Sequence, residues 1–385
     1  MKVINNDKCG IIIKSWCENI DDNALAQAYD LSNLPFVFKH IALMPDCHMG
    51  YGMPIGGVMA TNGEVIPNAV GVDIGCGMSA VQTNLAGIDI DLIKNIFSDI
   101  REQIPVGFNH RDKPMDWDGF ELAPTKIAVV DRELESARKQ IGTLGGGNHF
   151  IELQKGNDGF IWIMIHSGSR NIGYKIANEF HKLAKVTCER YYSHIPTDEL
   201  SFFPRNDQNH RDYSYAMNFA LAFAKENRRI MMSECKEILN THTSCEFNEE
   251  INIHHNYAQM ENHFGKNVLV HRKGATRAYK DEYGIIPGSQ GTKSYIVKGL
   301  GNPESFMSCS HGAGRVMGRK QATRELNLKN VIAGLDKKGI IHSIRNQNDL
   351  DEAPQAYKNI NTVMSAQNDL VEIVVELSPL GVIKG

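Results

Sequence analysis

The chain has 385 residues, of which 42% are hydrophobic and 22% are charged, a composition that supports a substantial core and excludes a small disulfide-stapled scaffold. The formal net charge of −4 excludes a protein that coats nucleic acid with its whole surface, although a local basic groove is compatible with it.

The first eighty residues read as short strands and glycine-rich turns. They contain "CGIIIKSW", "FVFKHIALMPDCHMGYGMPIGGVMA" and "NAVGVDIGCGMSAVQT". Glycines are dense between Gly50 and Gly77, which is typical of positive backbone dihedrals or of a backbone that approaches a ligand closely. A run of ordinary β-turns explains the same density equally well.

Four stretches predict helices by the spacing of their apolar residues. The first two are residues 87–105 and 124–142, the second with Pro124 near its first turn. The other two, residues 174–192 and 213–239, carry apolar residues three and four positions apart and predict two long amphipathic helices. We expect these two helices to serve as scaffold.

Several strand-like segments end in polar side chains. The apolar run in "GFIWIMIHSGSRNIG" stops at His166, and "KNVLVHRKGATRA" reads as a strand that ends in His271 and a cationic turn. The terminal "DLVEIVVELSPLGVIKG" alternates between strand and turn. A rigid strand that ends in a glycine- or serine-rich turn can aim a functional side chain, so we expect functional groups at these strand ends.

The chain predicts one large domain, because no Pro/Ser-rich or charged linker divides it. Its eight cysteines show no CxxC pair and no secretory segment precedes them. We therefore expect reduced thiols and a cytoplasmic location. No apolar run approaches the roughly 18 residues that a membrane span needs, so we expect no membrane partner.

A group of side chains in glycine-rich or open surroundings suggests a metal site: Asp73, Cys76, His149, His166, His255 and His311. Imidazole, carboxylate and thiolate ligands together are typical of a transition metal, since a soft thiolate excludes a simple Mg²⁺ or Ca²⁺ cage. Histidines in polar or helical contexts are assigned to the surface or to structural hydrogen bonds: His110, His181, His194, His210 and His242.

Simpler explanations of these residues stay open at this point. No zinc-finger or HExxH spacing ties them together, so scattered structural residues would give the same pattern. Cys76 could be a small buried hydrophobe, although Gly75 and Gly77 offer it little to pack against. Asp73 also suits an Asx-turn.

Nine short segments occur in one order along the chain: "MPDCHMGYGMPIGG", "AVGVDIGCGM", "GGGNHFIE", "HSGSRNIG", "HHNYA", "HRKGATRA", "PGSQGTKSY", "SCSHGAGR" and "LSPLGVIKG". With them the sequence resembles the RtcB family of RNA ligases, from about residue 40 to the last residue. Any one segment would be weak evidence, but the ordered combination is specific.

The resemblance implies an α+β fold: a single large mixed α/β domain over residues 1–385, with central β-sheets surrounded by helices and the active site at strand ends. It implies a helical insertion at about residues 174–240. It also implies a GTP-dependent enzyme with two Mn²⁺ ions that acts in RNA repair or tRNA splicing. Such an enzyme joins RNA ends with a 3′-phosphate or 2′,3′-cyclic phosphate to 5′-hydroxyl ends. RNA is the implied partner, and an activating partner protein is compatible with the family.

The metal ligands follow from matching positions. Asp73, Cys76 and His149 match the ligands of one ion in the family. Cys76, His166 and His255 match the ligands of the other, and the Cys76 thiolate would bridge the two ions.

The reacting histidine also follows from the resemblance. His311 matches the nucleophile that becomes guanylylated, and Asp46 matches a further acidic residue needed for catalysis. Attack of the His311 imidazole on the α-phosphorus of GTP would expel pyrophosphate and split a difficult condensation into easier displacements. The matching guanylate contacts, besides His311, are Asn148, Phe150, Glu152, Ser289, Arg315, Tyr357 and Lys384.

Basic side chains near these motifs suit phosphate oxygens, because a guanidinium can bind them through two parallel hydrogen bonds. A solvated cationic turn is the simpler explanation for the run in "HRKGATR". Cys47 stands where the family commonly has an aliphatic residue, which predicts a second, oxidisable thiol near the site. The basic residues expected to contact phosphate are Arg170, Arg272, Lys273, Arg277, Arg315 and Arg319.

Two other functions compete with ligation. A metal-dependent cyclic phosphodiesterase would need the metal ligands but neither His311 nor Lys384, so the retention of "SHGAGR" and "GVIKG" favours the ligase. A noncatalytic RNA-binding protein would tolerate the loss of ligands, and every proposed ligand is present.

Overall fold

The computed structural model of the chain describes residues 1–5 and 10–385. Within these residues the strands, in chain order, are β1 (Lys2–Ile4), β2 (Ile12–Ser15), β3 (Val37–His48), β4 (Ile55–Thr61), β5 (Gly77–Gln82), β6 (Phe150–Gly156), β7 (Ile161–Ser167), β8 (Ile251–His254), β9 (Asn256–His263), β10 (Lys266–Lys273), β11 (Ala275–Arg277), β12 (Tyr283–Ile286), β13 (Ser294–Gly299), β14 (Ser308–Ser310) and β15 (Val371–Lys384).

Helices stand between these strands. The α-helices of the described chain are α1 (Asp22–Ser32), α2 (Pro67–Val70), α3 (Ile90–Gln103), α4 (Ala128–Gln140), α5 (Arg170–Arg190), α6 (Gln208–Thr243), α7 (Arg319–Glu325), α8 (Leu328–Asp336) and α9 (Ile360–Ser365). Short 3₁₀ helices cover Asp118–Phe120, Asp198–Leu200, Pro303–Ser305, Gln347–Glu352 and Pro354–Ala356. The predicted α+β class is confirmed, because strands and helices share the chain and the pairing is mostly antiparallel.

The strands form a larger, a smaller and a minor sheet. The larger has the order β12-β13-β15-β6-β7-β5-β8 and the smaller the order β1-β2-β3-β4-β10-β9, while β11 pairs with β14. Every pair is antiparallel except β2 with β3. Each sheet has a buried apolar face, so the core lies between the sheets and the helices that cover them.

The helix predictions hold with shifted ends. In α3 the buried residues Ile93, Ile96, Phe97 and Ile100 follow the helical spacing. Pro124, expected in the first turn of α4, lies before that helix. The reason is the left-handed backbone of Lys126, with φ 68°, which a continuous right-handed helix cannot pass through.

The two long helices are also longer than predicted. Helix α5 begins four residues before the predicted start, at Arg170, and α6 extends beyond its predicted range at both ends. Asp207 caps α6 by accepting a hydrogen bond from the backbone of Asn209, and Ser244 ends it in a left-handed conformation. Polar residues in these terminal turns hide the helical period, which explains the shorter prediction.

Helix α6 is hydrogen-bonded to the backbone at two strand ends of the larger sheet. Arg228 is fully buried and donates hydrogen bonds to the carbonyl oxygens of Gly75 at 3.0 Å and Ser167 at 2.9 Å. Its neighbour Asn227 accepts hydrogen bonds from the backbone of Gly142 and Thr143. The expected scaffold role of this helix therefore has a physical basis: it holds two loops at fixed positions.

Five adjacent strands of the larger sheet bring distant segments together at one edge. In the register of this sheet, Lys384 pairs with Phe150 and Phe150 with His166, while Gly77 pairs with both Ser167 and His254. The ends of β15, β6, β7, β5 and β8 therefore lie side by side. Polar groups at strand ends, which the sequence pattern predicted, converge for this reason.

In the described part of the chain, no helix combines the length and the apolar character that crossing a bilayer requires. The cysteines described by the structure are buried free thiols: Cys17, Cys47, Cys76, Cys188, Cys235, Cys245 and Cys309. Cys9 lies outside the described residues. The organisation as one domain with a helical insertion stays a prediction.

Candidate functional site

A cavity of about 1410 Å³ opens at the shared edge of the larger sheet. Strand ends and the loops after β4, β10 and β14 surround it. Asp46 does not line the cavity, but the lining includes all the predicted metal ligands, the predicted nucleophile and all the predicted guanylate contacts: Asp73, Cys76, His149, His166, His255, Asn148, Phe150, Glu152, Ser289, His311, Arg315, Tyr357 and Lys384.

Five of these residues form two overlapping groups of potential metal ligands. The donor atoms of Cys76, His166 and His255 lie within 4.8 Å of one another, as do those of Asp73, Cys76 and His149. The Cys76 Sγ atom belongs to both groups and lies 3.2 Å from His166 Nε2 and 3.6 Å from His149 Nε2. The predicted two-site arrangement with one shared sulfur is thus compatible with the geometry.

The histidine rings of the cluster are oriented by hydrogen bonds to backbone carbonyls. His149 Nδ1 lies 3.0 Å from the Leu144 oxygen, and His166 Nδ1 lies 3.1 Å from the Asn148 oxygen. Because a carbonyl only accepts, each Nδ1 carries the hydrogen and the Nε2 lone pair is directed into the cluster. This is the arrangement that metal-binding histidines adopt.

Burial sets the protonation of the cluster. It lowers the pKa of the His166 and His255 imidazoles well below their usual value, and it raises the pKa of the Cys76 thiol well above its usual value, with Asp73 adding to that rise. Burial would also raise the pKa of the Asp73 carboxyl, but contact with His149 outweighs it and the pKa is lowered. Neutral imidazoles, a carboxylate and a thiol that a cation would deprotonate fit a transition-metal ion.

His311 stands beside this cluster with its ring fixed by a carboxylate. Its Nδ1 lies 2.6 Å from Asp46 Oδ2, its backbone N–H donates to the same oxygen at 3.1 Å, and its ring centroid lies 4.8 Å from that of His255. Burial would raise the pKa of the Asp46 carboxyl, but His311, His48 and Lys358 outweigh it and the pKa is lowered. The carboxylate therefore accepts the Nδ1 hydrogen, which leaves the His311 Nε2 lone pair free.

Glycines around His311 allow the backbone to pack closely. Gly314 has φ 73°, and a Cβ atom there would lie 2.2 Å from the backbone oxygen of Asp46. Gly274 has φ 59°, and its Cβ atom would lie 3.0 Å from His311 Cε1. Gly314 of the "SHGAGR" segment thus lets the backbone approach Asp46, the residue that fixes the His311 ring.

On another wall of the cavity, Glu352 connects two of the predicted guanylate contacts, Arg315 and Tyr357, with the predicted phosphate contact Arg319. Its buried carboxylate lies 3.0 Å from Arg315 Nη1 and 2.7 Å from Arg319 Nε, and it accepts a hydrogen bond from the Tyr357 hydroxyl. The Arg315 guanidinium also lies 5.0 Å from the centroid of the Tyr357 ring. Two cationic groups are therefore held in fixed orientations at the cavity wall.

The wall formed by β6 and β15 holds Glu152 and Lys384. Burial raises the pKa of the Glu152 carboxyl to about 8, and within the described chain its Oε1 atom has no hydrogen-bond partner. Its Oε2 atom accepts from Gln154 at 2.7 Å. Burial lowers the pKa of Lys384, whose Nζ lies 5.7 Å from the Phe150 ring centroid. An unpaired buried oxygen at a cavity wall is suited to a ligand that donates hydrogen bonds.

Two of the basic residues expected to contact phosphate do not line the cavity. Arg272 is fully buried, with guanidinium nitrogens 2.5 and 2.9 Å from the Glu261 oxygens. Arg277 is paired with Glu282. The prediction for Arg272 and Arg277 was wrong because Glu261 on the neighbouring strand β9 neutralises Arg272, and Glu282, five residues further along the chain, neutralises Arg277. His271, expected at a strand end, lies within β10, and its Nε2 accepts from the Ile66 backbone.

The remaining cations do line the cavity, namely Arg170, Lys273, Arg315 and Arg319. Arg170 donates to the Thr143 hydroxyl and to the Gly107 oxygen.

Cys47, expected as a thiol near the site, is fully buried, and burial raises the pKa of its thiol well above the usual value. It is therefore a poor candidate for oxidation.

Three residues at the cavity were missed or set aside in the sequence. His48 lines the wall, and its Nδ1 atom lies 2.9 Å from the backbone oxygen of Asp46. Burial lowers the pKa of the His48 imidazole to about 4. His110, assigned to the surface, also lines the cavity. His48 could have been noticed in "PDCHMG", whereas nothing in "LDEAPQAYK" distinguishes Glu352 from a surface acid.

Comparison with known proteins gives one consistent result. A family model described as "tRNA-splicing ligase RtcB" matches residues 27–122 and 118–385. The chain is 39% identical to the RNA-splicing ligase RtcB of Escherichia coli K12, over 97% of each chain. It is 32% identical to the tRNA-splicing ligase RtcB of Nanoarchaeum equitans, over 95% of this chain and 92% of the relative. It is 30% identical to the tRNA-splicing ligase RtcB of Thermococcus kodakarensis, over 94% of this chain and 91% of the relative.

Proposed function

Because this chain belongs to the RtcB family, we propose that it is an RNA ligase that joins 3′-phosphate or 2′,3′-cyclic phosphate ends to 5′-hydroxyl ends. It uses GTP and two Mn²⁺ ions. The observation that supports this function best is the pair of His311 and Asp46, which presents a free imidazole nitrogen beside the two overlapping ligand groups. A binding protein would have no need of an oriented nucleophile at that place.

In the first step, His311 Nε2 attacks the α-phosphorus of GTP. A phosphorus–nitrogen bond forms, the bond from the α-phosphorus to the bridging oxygen breaks, and pyrophosphate leaves. Asp46 keeps the hydrogen on Nδ1 and stabilises the positive charge that the ring acquires as Nε2 bonds to phosphorus. Because it acts through His311, Asp46 is a positioning residue.

The ligand groups would hold the two ions. Asp73, Cys76 and His149 would bind one, and Cys76, His166 and His255 the other. Bound there, Mn²⁺ supplies Lewis-acid polarisation of phosphoryl oxygens and offsets the charge on attacking and leaving groups. The thiolate and imidazole donors support a transition metal, whereas the choice of Mn²⁺ rests on the family.

The cavity wall would recognise the guanylate. Arg315 and Arg319, held by Glu352, face the cavity with charges suited to phosphate oxygens. The unpaired Oε1 of Glu152 would accept from the N–H edge of guanine. Further contacts to the base and sugar would come from Asn148, Phe150, Ser289, Tyr357 and Lys384.

The RNA ends would react in two further displacements. An oxygen of the 3′-phosphate attacks the phosphorus bound to His311, so that a phosphorus–oxygen bond forms and the phosphorus–nitrogen bond breaks. The RNA end then carries guanosine through a pyrophosphate. Finally the 5′-hydroxyl attacks the RNA phosphorus: a phosphodiester bond forms, the pyrophosphate bond to guanosine breaks, GMP leaves and the hydroxyl proton is released to solvent. A cyclic phosphate must first be opened by water. The activating partner protein and the cytoplasmic location stay predictions.

A ligation assay with defined RNA ends tests this function. Purified protein is incubated with GTP, Mn²⁺ and two RNA strands, one ending in a 2′,3′-cyclic phosphate and the other beginning with a 5′-hydroxyl. We expect joined product, and none from strands with 3′-hydroxyl and 5′-phosphate ends. His311→Ala should join nothing, whereas His194→Ala, which changes an exposed histidine outside the cavity, should join as the wild type does.

The same assay separates the competing functions. Opening of the cyclic phosphate by the wild type without any joined product would indicate a phosphodiesterase. Binding of RNA without either reaction, in protein shown to contain metal, would indicate a noncatalytic RNA-binding protein. Either result would contradict the proposed function.

A further inference from the structure

Three large aromatic side chains are exposed at the rim of the cavity. Tyr51 is 68% exposed, Phe108 is 99% exposed and Tyr174 is 50% exposed, and all three line the same opening as His311. We call them the rim aromatics. A single exposed aromatic is common, but three around one opening form an unpartnered apolar surface beside the reacting groups.

The loop that carries Tyr51 is clamped from three directions. The side chain of Gln27 donates to the Gly50 oxygen at 2.6 Å and accepts from the Gly50 N–H at 3.1 Å. The Tyr51 oxygen accepts from Lys273 Nζ at 2.5 Å, and the Gly52 N–H donates to Glu199 at 2.5 Å. The loop backbone is thus fixed while the Tyr51 ring extends into solvent.

The turn that carries Phe108 is fixed in a similar way. The Gly107 N–H donates to the Gly145 oxygen at 3.0 Å, and the Asn109 N–H closes the turn on the Val106 oxygen at 3.2 Å. Arg170 Nη2 donates to the Gly107 oxygen at 3.1 Å. Because the backbone on both sides is held, stacking of a ligand on Phe108 would order little of the chain besides the Phe108 side chain itself.

Cations accompany the rim aromatics around the opening. Arg170 and Arg319 line the cavity with them, whereas the amine of Lys273 is buried and donates to the Tyr51 and Asn68 oxygens. Positive groups interleaved with exposed aromatic rings are the arrangement with which proteins bind single-stranded nucleic acid, since the cations follow the phosphates and the rings stack on the bases. A double helix would not offer unstacked bases to these rings.

We propose that Phe108 and Tyr51, with Tyr174 on the lining of the same cavity, form a stacking platform for the bases of single-stranded RNA next to the end that is joined. This inference rests on the proposed ligase function, and it names the part of the substrate that the rim contacts. The platform would hold the unpaired nucleotides adjacent to the reacting phosphate. It would bind them by base stacking, without a preference for one sequence.

Single substitutions separate the platform from the nucleotide chemistry. Guanylylation of His311 needs no RNA, so Phe108→Ala and Tyr51→Ala should become labelled by α-labelled GTP at the wild-type rate. The KM for the RNA strand, and its Kd measured by fluorescence anisotropy, should each rise about tenfold for either variant. Tyr192→Ala is the matched control, because Tyr192 is 95% exposed but lies outside the cavity lining.

Conservative variants and altered RNA identify stacking as the cause. Phe108→Trp should bind RNA at least as well as the wild type, whereas Phe108→Leu should resemble Phe108→Ala. An RNA strand with abasic nucleotides next to its reacting end should bind the wild type about tenfold more weakly. Phe108→Ala should bind the abasic strand and the intact strand with nearly the same affinity, because the ring and the base are the two partners of one interaction and the variant already lacks the ring.

Two kinds of failure remain distinguishable. A wild type that is never guanylylated contradicts the proposed function itself. Normal guanylylation together with an unchanged RNA KM for Phe108→Ala contradicts only the stacking platform, and would assign the rim to another partner such as a protein. If Tyr51→Ala fails to fold because its clamped loop is disturbed, the Phe108 variants, whose ring is almost wholly in solvent, still decide the question.

Discussion

The Nδ1 atom of His311 lies 2.6 Å from Asp46 Oδ2, although 265 positions separate the two residues in the chain. Asp46 is completely buried and does not line the cavity. It can therefore act on the reaction only through the imidazole, by holding its tautomer and orientation. The chemistry proposed for this protein depends on this contact.

Replacing Asp46 with Asn tests the contact. An amide of the same size no longer provides a negative charge, and its oxygen is a weaker acceptor for the Nδ1 hydrogen. We expect the rate of His311 guanylylation to fall by about 10² to 10⁴, with little change in the Kd for GTP. Rapid-quench labelling measures the rate and nucleotide titration the Kd. A variant that reacts at the wild-type rate would show that the carboxylate has no part in positioning.

Substitutions in the ligand cluster should remove metal in unequal amounts. Because the Cys76 sulfur belongs to both ligand groups, Cys76→Ser should weaken both sites, whereas His149→Ala should weaken one. We expect wild-type protein dialysed against Mn²⁺ to retain two ions, His149→Ala one, and Cys76→Ser fewer than His149→Ala. Elemental analysis of dialysed protein measures these ratios. Equal loss in the two variants would contradict a shared sulfur.

Glu352 should matter for nucleotide binding because it orients two arginines of the cavity wall. Glu352→Gln removes the carboxylate that orients Arg315 and Arg319, so the KM for GTP should rise about tenfold, equivalent to about 1.4 kcal/mol. Glu325→Gln is the matched control, since Glu325 pairs with Arg324 on the exposed surface. Tighter GTP binding by Glu352→Gln would mean that the carboxylate only competes with phosphate for these arginines.

Glu261 should stabilise the fold without affecting the reaction. Removing one partner of its buried pair with Arg272 should cost about 3–5 kcal/mol, so Glu261→Gln should lower the Tm clearly. Glu282→Gln breaks the more exposed pair with Arg277 and should cost at most about 1 kcal/mol. Denaturant unfolding measures both values. Equal losses would contradict a special role for the buried pair.

The same pair predicts a pH dependence. Burial would raise the pKa of the Glu261 carboxyl, but Arg272 and His263 outweigh it and lower the pKa from an ordinary 4.5 to about 2. The unfolded chain therefore binds this proton at a higher pH than the folded chain does. The ionised Glu261 carboxylate therefore contributes fully to the folding stability above about pH 4.5, and this contribution is lost as the pH falls toward 2. The difference in unfolding free energy between wild type and Glu261→Gln should shrink in that window. A difference that stays constant down to pH 2 would contradict this assignment.

The sequence was informative where function and local structure share the same residues. Histidines at the ends of apolar runs beside glycines predicted strand ends, and the register of the larger sheet brings His149 and His166 together. Helical periods were recognisable in the middle of α3 and α6, where apolar side chains face the core. The first and last residues of these helices were predicted less accurately, because polar residues in the terminal turns do not show the 3.6-residue spacing of apolar side chains.

Side-chain pairing between strands could not be predicted. Arg272 reads as part of a cationic turn, because its partner Glu261 is brought close by the pairing of β9 with β10, which the sequence pattern alone did not establish. The orienting role of Glu352 has the same cause, since an acidic residue in a short 3₁₀ segment resembles a surface residue until its contacts with Arg315 and Arg319 are known. One-dimensional patterns predict elements and strand ends, whereas such contacts depend on how the elements pack.

The most direct test of the account is to locate the covalent guanylate on the protein. Wild-type protein is incubated with α-labelled GTP and Mn²⁺, digested, and examined by mass spectrometry for a GMP adduct that is labile in acid and stable in alkali. The account predicts one adduct, on His311, and no label in His311→Ala. Label on a different residue, or undiminished label in His311→Ala, would contradict it.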